Sequence, residues 1–334
     1  MRNIARLPKR DREALFRNTA DKMVISFAIA EKDFWVSYIL DYLFTQNQWK
    51  EHFAFKGGTS LSKAYGLIER FSEDVDLILD WRKLGFEINE PLEKRSKTKQ
   101  NELNLRINKL TEKFLEQEFL PVINEDIQKD LDEQSDLMID SNDGQTVLFQ
   151  YPSDQDDSYI KPIVRLEIGA LAAWSPASWR TITPYAAEQY PQLFEQKNTK
   201  AFTVEPKRTF WEKATILHQE AHRSVDTEVR QRHSRHYYDF YQMCRSEVKT
   251  DAYKDLGLLN DVIHFKKQFY PCAWANYDRA IVGSIKLIPA IEHIPGLKRD
   301  YIQMENMIFG DIPKFDSLLD SLRDTEKEIN RLTK

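Results

Sequence analysis

The chain has 334 residues, 48 Lys and Arg against 53 Asp and Glu, and a formal net charge of -5. At roughly 150 residues per domain this suggests about two domains, each able to bury a core without disulfides or structural metals. Its 41% apolar and 30% charged residues exclude disordered and collagen-like classes, and the longest apolar run, Phe34 to Phe44, is broken by Ser37 and Asp41 and falls short of the roughly 20 residues a bilayer needs.

In chain order, the N-terminal segment is charged where a secretory peptide would carry its apolar stretch, so no export signal is expected. From Arg10 to about Trp49, apolar positions such as Ile25, Phe34, Leu40 and Phe44 recur at mixed three and four spacing, which predicts two helices. His52 to Lys56 is short and aromatic and leads into Gly57-Gly58-Thr59-Ser60: a strand, a glycine turn, and a helix reaching Glu69 with Thr59 or Ser60 as its N-cap. Asp74 to Asp80 alternates as a second strand, antiparallel or parallel to the first. A basic run holding Lys94, Arg95, Lys97 and Lys99 reads as a loop. It feeds an amphipathic helix from about Glu102 to Leu137, an insertion of about 100–140. Thr146 to Tyr151 and Ile160 to Ile168 return to strand character as a hairpin around an acidic turn at Asp154 to Ser158. Prolines punctuate short elements beyond Ser175, and from Lys207 to Lys334 the pattern is helical. These elements make an α/β (α+β) fold with a small mixed sheet, an N-terminal helical extension and a helical C-terminal half. The domain boundary falls near Glu205, giving 1–205 and 206–334. Cys244 and Cys272 lack CxxC spacing, so neither a disulfide scaffold nor a thiolate zinc site is expected, and the compartment is read as cytoplasmic with no membrane association.

The chemistry concentrates after the first strand. Paired glycines before a helix allow close backbone approach to phosphate, and a helix start offers N–H donors. Asp74 and Asp76, at i and i+2 on a strand, share one face. Carboxylates so placed suit Mg²⁺ or Mn²⁺ bridging a triphosphate and an attacking hydroxyl. An exposed strand end is the ordinary alternative for such a pair. Glu167, alone between Leu166 and Ile168, shares a face with Arg165 and is either a third metal ligand or half of a surface ion pair.

These features resemble the polymerase-β-type nucleotidyltransferase superfamily. More narrowly, Phe55 to Tyr65 with Arg70 to Leu77 is similar to the AbiEii/AbiGii-type nucleotidyltransferase toxins of bacterial toxin–antitoxin systems, as are Glu31-Lys-Asp-Phe-Trp35, Ser175 to Pro184, Arg208 to Lys213 and Arg235 to Asp239. The resemblance implies a nucleotidyltransferase fold and transfer of NMP from an NTP to an acceptor hydroxyl, with release of pyrophosphate. It implies metal ligation by Asp74, Asp76 and Glu167, and nucleotide binding by Gly57, Gly58, Thr59, Ser60, Lys63 and Lys213. Lys213 and Asp239 are its further active-site residues, which places the site between the two halves. It also implies a tRNA 3′ end or other RNA as acceptor, growth arrest or abortive infection as outcome, and a separately encoded antitoxin as partner. A small-molecule nucleotidyltransferase of the antibiotic-modifying kind and a degenerate RNA- or partner-binding module are the rival readings.

Other signals have ordinary explanations beside functional ones. His218-Gln-Glu-Ala-His222 resembles a zinc-protease helix, but Glu220 holds neither of the positions that such helices use. The His and Arg cluster from His218 to His236 reads as a polar or RNA-facing surface. The basic run is either a solvated loop or a phosphate clamp, and Trp174, Trp179 and Trp211 read as core anchors rather than base-stacking platforms.

Overall fold

Alternating apolar residues build the strands of a seven-stranded mixed sheet in a computed structural model that describes residues 1–131, 135–153 and 160–333. The strands are β1 (Phe53–Lys56), β2 (Asp74–Leu79), β3 (Asp136–Asp140), β4 (Asp143–Gln150), β5 (Ile163–Gly169), β6 (Ala177–Ile182) and β7 (Thr199–Val204). Their order is β3-β4-β5-β2-β1-β7-β6. β2 runs antiparallel to β1 and parallel to β5, β1 runs parallel to β7, and the remaining pairs are antiparallel. The described residues divide into two compact units, Met1–Tyr65 with Ser72–Val204, and Gly66–Phe71 with Glu205–Lys334.

In the first unit, register sorts the side chains onto two faces. Phe55, Leu77 and Ile168 align across β1, β2 and β5, as do Val75, Leu166 and Val147, and this face is the buried core. It is covered by the Phe27–Asp41 helix, where Trp35 lies 6.0 Å from Phe149, and by the helical stretch from Lys97 to Asp130, where Phe119 lies 5.7 Å from Phe53. The opposite face carries Asp74, Asp76, Arg165 and Glu167, and further along Ala54, Ile78 and Val204 under Trp174 and Phe202.

The paired N-terminal helices form at Lys9–Met23 and Phe27–Asp41, the second capped by Ser26, whose Oγ accepts from Ile29 N at 3.2 Å. The hairpin of Thr146 to Tyr151 with the following strand forms as β4 and β5, while the acidic turn expected at Asp154 to Ser158 lies outside the described residues. Several boundaries differ from the sequence reading. The helix after the glycine turn spans Gly57–Lys63 with Lys56 as its N-cap, because Gly57 enters it at φ +80° and the chain bends at Gly66, φ +61°. The inserted helix stops at Asp130, and Leu137 belongs to β3, since an Asp-Leu-Met-Ile-Asp run suits either state until β4 pairs with it. Lys97 and Lys99 are not loop residues: they open the Lys97–Phe114 helix, which Ser96 caps. β6 and β7 form where only short elements were read.

The second unit holds the helices Pro206–Glu220, Ser234–Cys244, Glu247–Tyr253, Leu256–Phe269, Ile294–Met304 and Phe315–Arg331. Phe210 anchors three of them, 4.7 Å from Phe240 and 6.2 Å from Tyr253. The short segment Gly66–Phe71 is built into this unit. Arg70 bridges to Ile308, Phe71 N donates to Met307 O at 2.7 Å, and Phe309 N donates to Glu69 O at 2.6 Å.

Candidate active site

Three carboxylates converge on one face because β2 and β5 are parallel and in register. Asp74 is abreast of Arg165, and Asp76 is abreast of Glu167. The Asp74 side chain is mostly covered at 16% exposure, whereas Glu167 is open at 44%. Arg165 lies between them, its Nε 3.8 Å from Asp74 Oδ1 and 3.9 Å from Glu167 Oε1, while its Nη1 donates to Asp140 Oδ2 at 2.8 Å. Asp140, at the end of β3, thus joins the acidic face. Its carboxyl is held below the usual range by the Asn142 backbone N–H and by Arg165.

Gly57 and Asp76 fit each other. A Cβ on Gly57 would stand 1.8 Å from Asp76 Oδ2, so the missing side chain is the space the carboxylate occupies. Lys56 opposes Asp76 across β1 and β2, which brings the glycine turn directly over that aspartate. The donor set on this face is all oxygen, as a hard divalent cation prefers. As the side chains stand, no three Asp, Glu, His or Cys groups among the described residues are gathered tightly enough to hold a metal ion. Arg165, whose shortest contact is to Asp140, occupies the space between Asp74 and Glu167.

The other residues assigned to the nucleotide have partners of their own. Thr59 Oγ1 donates to the backbone carbonyls of Asp74 and Ser72, and Ser60 Oγ donates to Gly57 O at 2.9 Å. These hydroxyls therefore tie the Gly57–Lys63 helix to the start of β2 and close its own first turn. Lys63 Nζ donates to Asp33 Oδ1 at 2.6 Å and to Thr183 O at 2.7 Å, and lies 4.2 Å from the Tyr185 ring centroid.

Lys213 and Asp239 meet inside the second unit. Lys213 Nζ donates to Asp239 Oδ2 at 2.6 Å and to His236 Nδ1 at 3.2 Å, and Arg70 grips the same carboxylate through Nε at 2.6 Å and Nη2 at 2.8 Å. Asp239 is fully buried. Burial alone would raise its pKa, but Arg70 and Lys213 hold it well below the usual carboxylate range. Burial lowers the Lys213 ammonium from its ordinary value, against the pull of Asp239. Burial, together with Lys213, drives His236 well down, consistent with a neutral ring that accepts the lysine proton at Nδ1. The carboxylate is thus shared between Lys213 and Arg70, the latter 169 residues away in the chain.

Arg70, which grips Asp239, and Asp140, which holds Arg165, are residues that sequence reasoning missed. Arg70 stood inside the quoted motif, but nothing local marks its partner. The His218 and His222 region is not a metal helix. His218 is buried, its Nδ1 accepts from Lys286 N at 3.0 Å, its Nε2 donates to Asn276 O at 3.2 Å, and burial lowers its pKa to about 4. Glu220 is taken by Arg223 and His233. In the basic run, Arg95 folds back onto the carbonyls of Pro91, Glu93 and Glu90. Trp211 is a core anchor, Trp174 stacks edge-on to Trp81, and Trp179 is half exposed.

The family model described as nucleotidyl transferase AbiEii toxin, type IV toxin–antitoxin system, matches residues 38–321. A search of curated proteins finds no match. Among solved structures, the chain is similar to MenT4, a nucleotidyltransferase toxin from Mycobacterium tuberculosis H37Rv, at 14% identity and a TM-score of 0.42, covering 96% of this chain and 99% of that one. No helix among the described residues is long and apolar enough to cross a membrane.

Proposed function

Because the chain belongs to the AbiEii family of nucleotidyltransferase toxins from type IV toxin–antitoxin systems, we propose that it transfers NMP from an NTP to the 3′-terminal hydroxyl of tRNA in a divalent-metal-dependent reaction. The observation that carries this reading is the in-register pair Asp76 and Glu167, with Asp76 seated in the space that Gly57 leaves. Asp74, Asp76 and Glu167 would hold Mg²⁺, which when bound supplies charge stabilisation for the triphosphate and lowers the pKa of the attacking hydroxyl. The acceptor oxygen forms a bond to the α-phosphorus, the bond from that phosphorus to the bridging oxygen breaks, and pyrophosphate leaves. Glu167, more open than Asp74, takes the hydroxyl proton. The backbone at Gly57 and Gly58 lets phosphate oxygens approach closely. Lys213 and Asp239 enter the set through the family motif, Lys213 as the cation that offsets charge growing on the leaving pyrophosphate. Family membership implies an antitoxin partner; its separate encoding and its relief of growth arrest are part of this reading.

Incubation of the purified protein with each labelled NTP and total tRNA tests the proposal. Labelled tRNA should form, EDTA should abolish it, and Asp76→Asn should lower transfer by about a hundredfold or more while leaving the thermal midpoint nearly unchanged, because the substitution is isosteric. Full activity of Asp76→Asn, or transfer to a small molecule with none to tRNA, would overturn it.

A further inference from the structure

We propose that Lys32 is a positioning residue that holds the phase of the two carboxylate-bearing strands. Glu31, Lys32 and Asp33 are consecutive on the Phe27–Asp41 helix and all buried. Successive helical residues point about 100° apart, so three in a row can serve three different neighbours. Ser153 Oγ donates to Glu31 Oε2 at 2.7 Å, and Asp33 accepts from Lys63 at 2.6 Å and from Tyr185 N at 2.7 Å. Lys32 Nζ donates to Glu73 Oε2 at 2.9 Å and to Lys161 O at 3.3 Å.

Those two acceptors share a position in the fold. Glu73 immediately precedes β2, and Lys161 stands two residues before β5. Since β2 and β5 are parallel, one ammonium binds the leading ends of both strands that carry Asp74, Asp76 and Glu167. Side chains alternate along a strand, so turning Glu73 to the helix-covered face commits Asp74 and Asp76 to the other face. A slip of one residue would drive both aspartates into the apolar core face and bring Glu73 and Val75 out. A cation is suited to this work because it can satisfy a carboxylate and a carbonyl together. Its burial also makes the contact costly to lose, since Glu73 would be left mostly covered at 17% side-chain exposure without that cation.

This inference rests on the metal-site reading above, and the experiment separates the two. In the metal-free protein, hydrogen exchange followed by mass spectrometry should show the peptides covering β2 and β5 exchanging about tenfold faster in Lys32→Met than in wild type. The Mg²⁺ concentration for half-maximal NTP transfer should rise about tenfold to a hundredfold, as when outer-shell partners of metal ligands are lost. Glu73→Gln, which removes the partner instead of the buried lysine, should do the same, and the double variant should be no worse than either single one. Ser153→Ala perturbs the same helix through Glu31 and should lower stability with only a chain-wide rise in exchange, not one concentrated in β2 and β5, and with no change in the Mg²⁺ dependence. If Lys32→Met cannot be purified folded, Glu73→Gln carries both measurements. Unchanged exchange and unchanged Mg²⁺ dependence in Glu73→Gln, or equal changes in Ser153→Ala, would overturn the inference. Asp76→Asn is measured alongside: if it keeps full activity the metal-site reading has failed, whereas an inactive Asp76→Asn beside an unaffected Glu73→Gln rejects the role of Lys32 alone.

Discussion

At Gly57 two constraints coincide on one residue. Its φ of +80° would cost a residue with a Cβ about 1–2 kcal/mol, and that Cβ would overlap Asp76 Oδ2. Backbone strain alone would lower stability and spare the chemistry, whereas the overlap acts on the carboxylate itself. Gly57→Ala is therefore expected to lower transfer by about a hundredfold or more, beyond what a loss of about 1–2 kcal/mol in stability accounts for. Denaturant unfolding and NTP transfer on one preparation check this, and wild-type turnover in Gly57→Ala would contradict it. The contrast with Thr59, Ser60 and Lys63 is instructive. All were legible as polar residues beside a glycine turn, but residue type does not reveal whether a hydroxyl or ammonium faces a ligand or a neighbouring backbone. Here Thr59 and Ser60 bond to carbonyls and Lys63 to Asp33.

Among the elements, the Phe27–Asp41 helix carries an unusual load, since charged residues rarely lie wholly inside a fold unless paired. Glu31 is its weakest point. Burial raises its carboxyl from 4.5 to about 7, with the Ser153 hydrogen bond pulling the other way. The folded protein thus keeps a proton that the unfolded chain sheds between those values. The contribution of Glu31 is fully present below the unfolded value and is lost as pH rises through about 7. Glu31 thus works against His218 and His236, whose lowered pKa values add stability as pH rises; relative to wild type, Glu31→Gln should gain thermal stability progressively from pH 5 to pH 8, a difference on the order of 3 kcal/mol in unfolding free energy at the upper end. Midpoints recorded across that range decide it; an unchanged slope in the variant would assign the titration to another group. The sheet shows the same division between local and distant information. β2 and β5 were readable from alternation, because each has one core face. β3 was read as helix because its short run fits both periods and its partner β4 decides between them.

On the scale of the whole molecule, the second unit is held by a buried charge cluster rather than by its helices' apolar faces alone. Asp239 balances Arg70 from the Gly66–Phe71 segment and Lys213 from the Pro206–Glu220 helix. Removing its charge leaves two buried cations facing each other. Asp239→Asn should therefore cost about 3–5 kcal/mol in denaturant unfolding, where Asp76→Asn costs little. Because the folded pKa is depressed, the stability Asp239 supplies is present above the ordinary carboxylate range and lost as pH falls below it, so the variant should also show a shallower acid transition. Equal stability of the Asp239→Asn and wild-type proteins would show that the cluster does not hold the unit. The sequence by itself determined the α/β class and the shared strand face of Asp74 and Asp76, because strand periodicity and a glycine turn followed by Asp-x-Asp are local patterns, and its ordered motifs carried the resemblance to the family. Tertiary structure alone decided that Arg70 faces Asp239, that Lys32 joins the leading ends of two strands, that Arg165 reaches Asp74 and Asp140, and that Gly66–Phe71 belongs to the helical unit. Each of these joins residues far apart in the chain, and a charge's partner is set by which elements pack together, a choice that spacing along one segment does not encode.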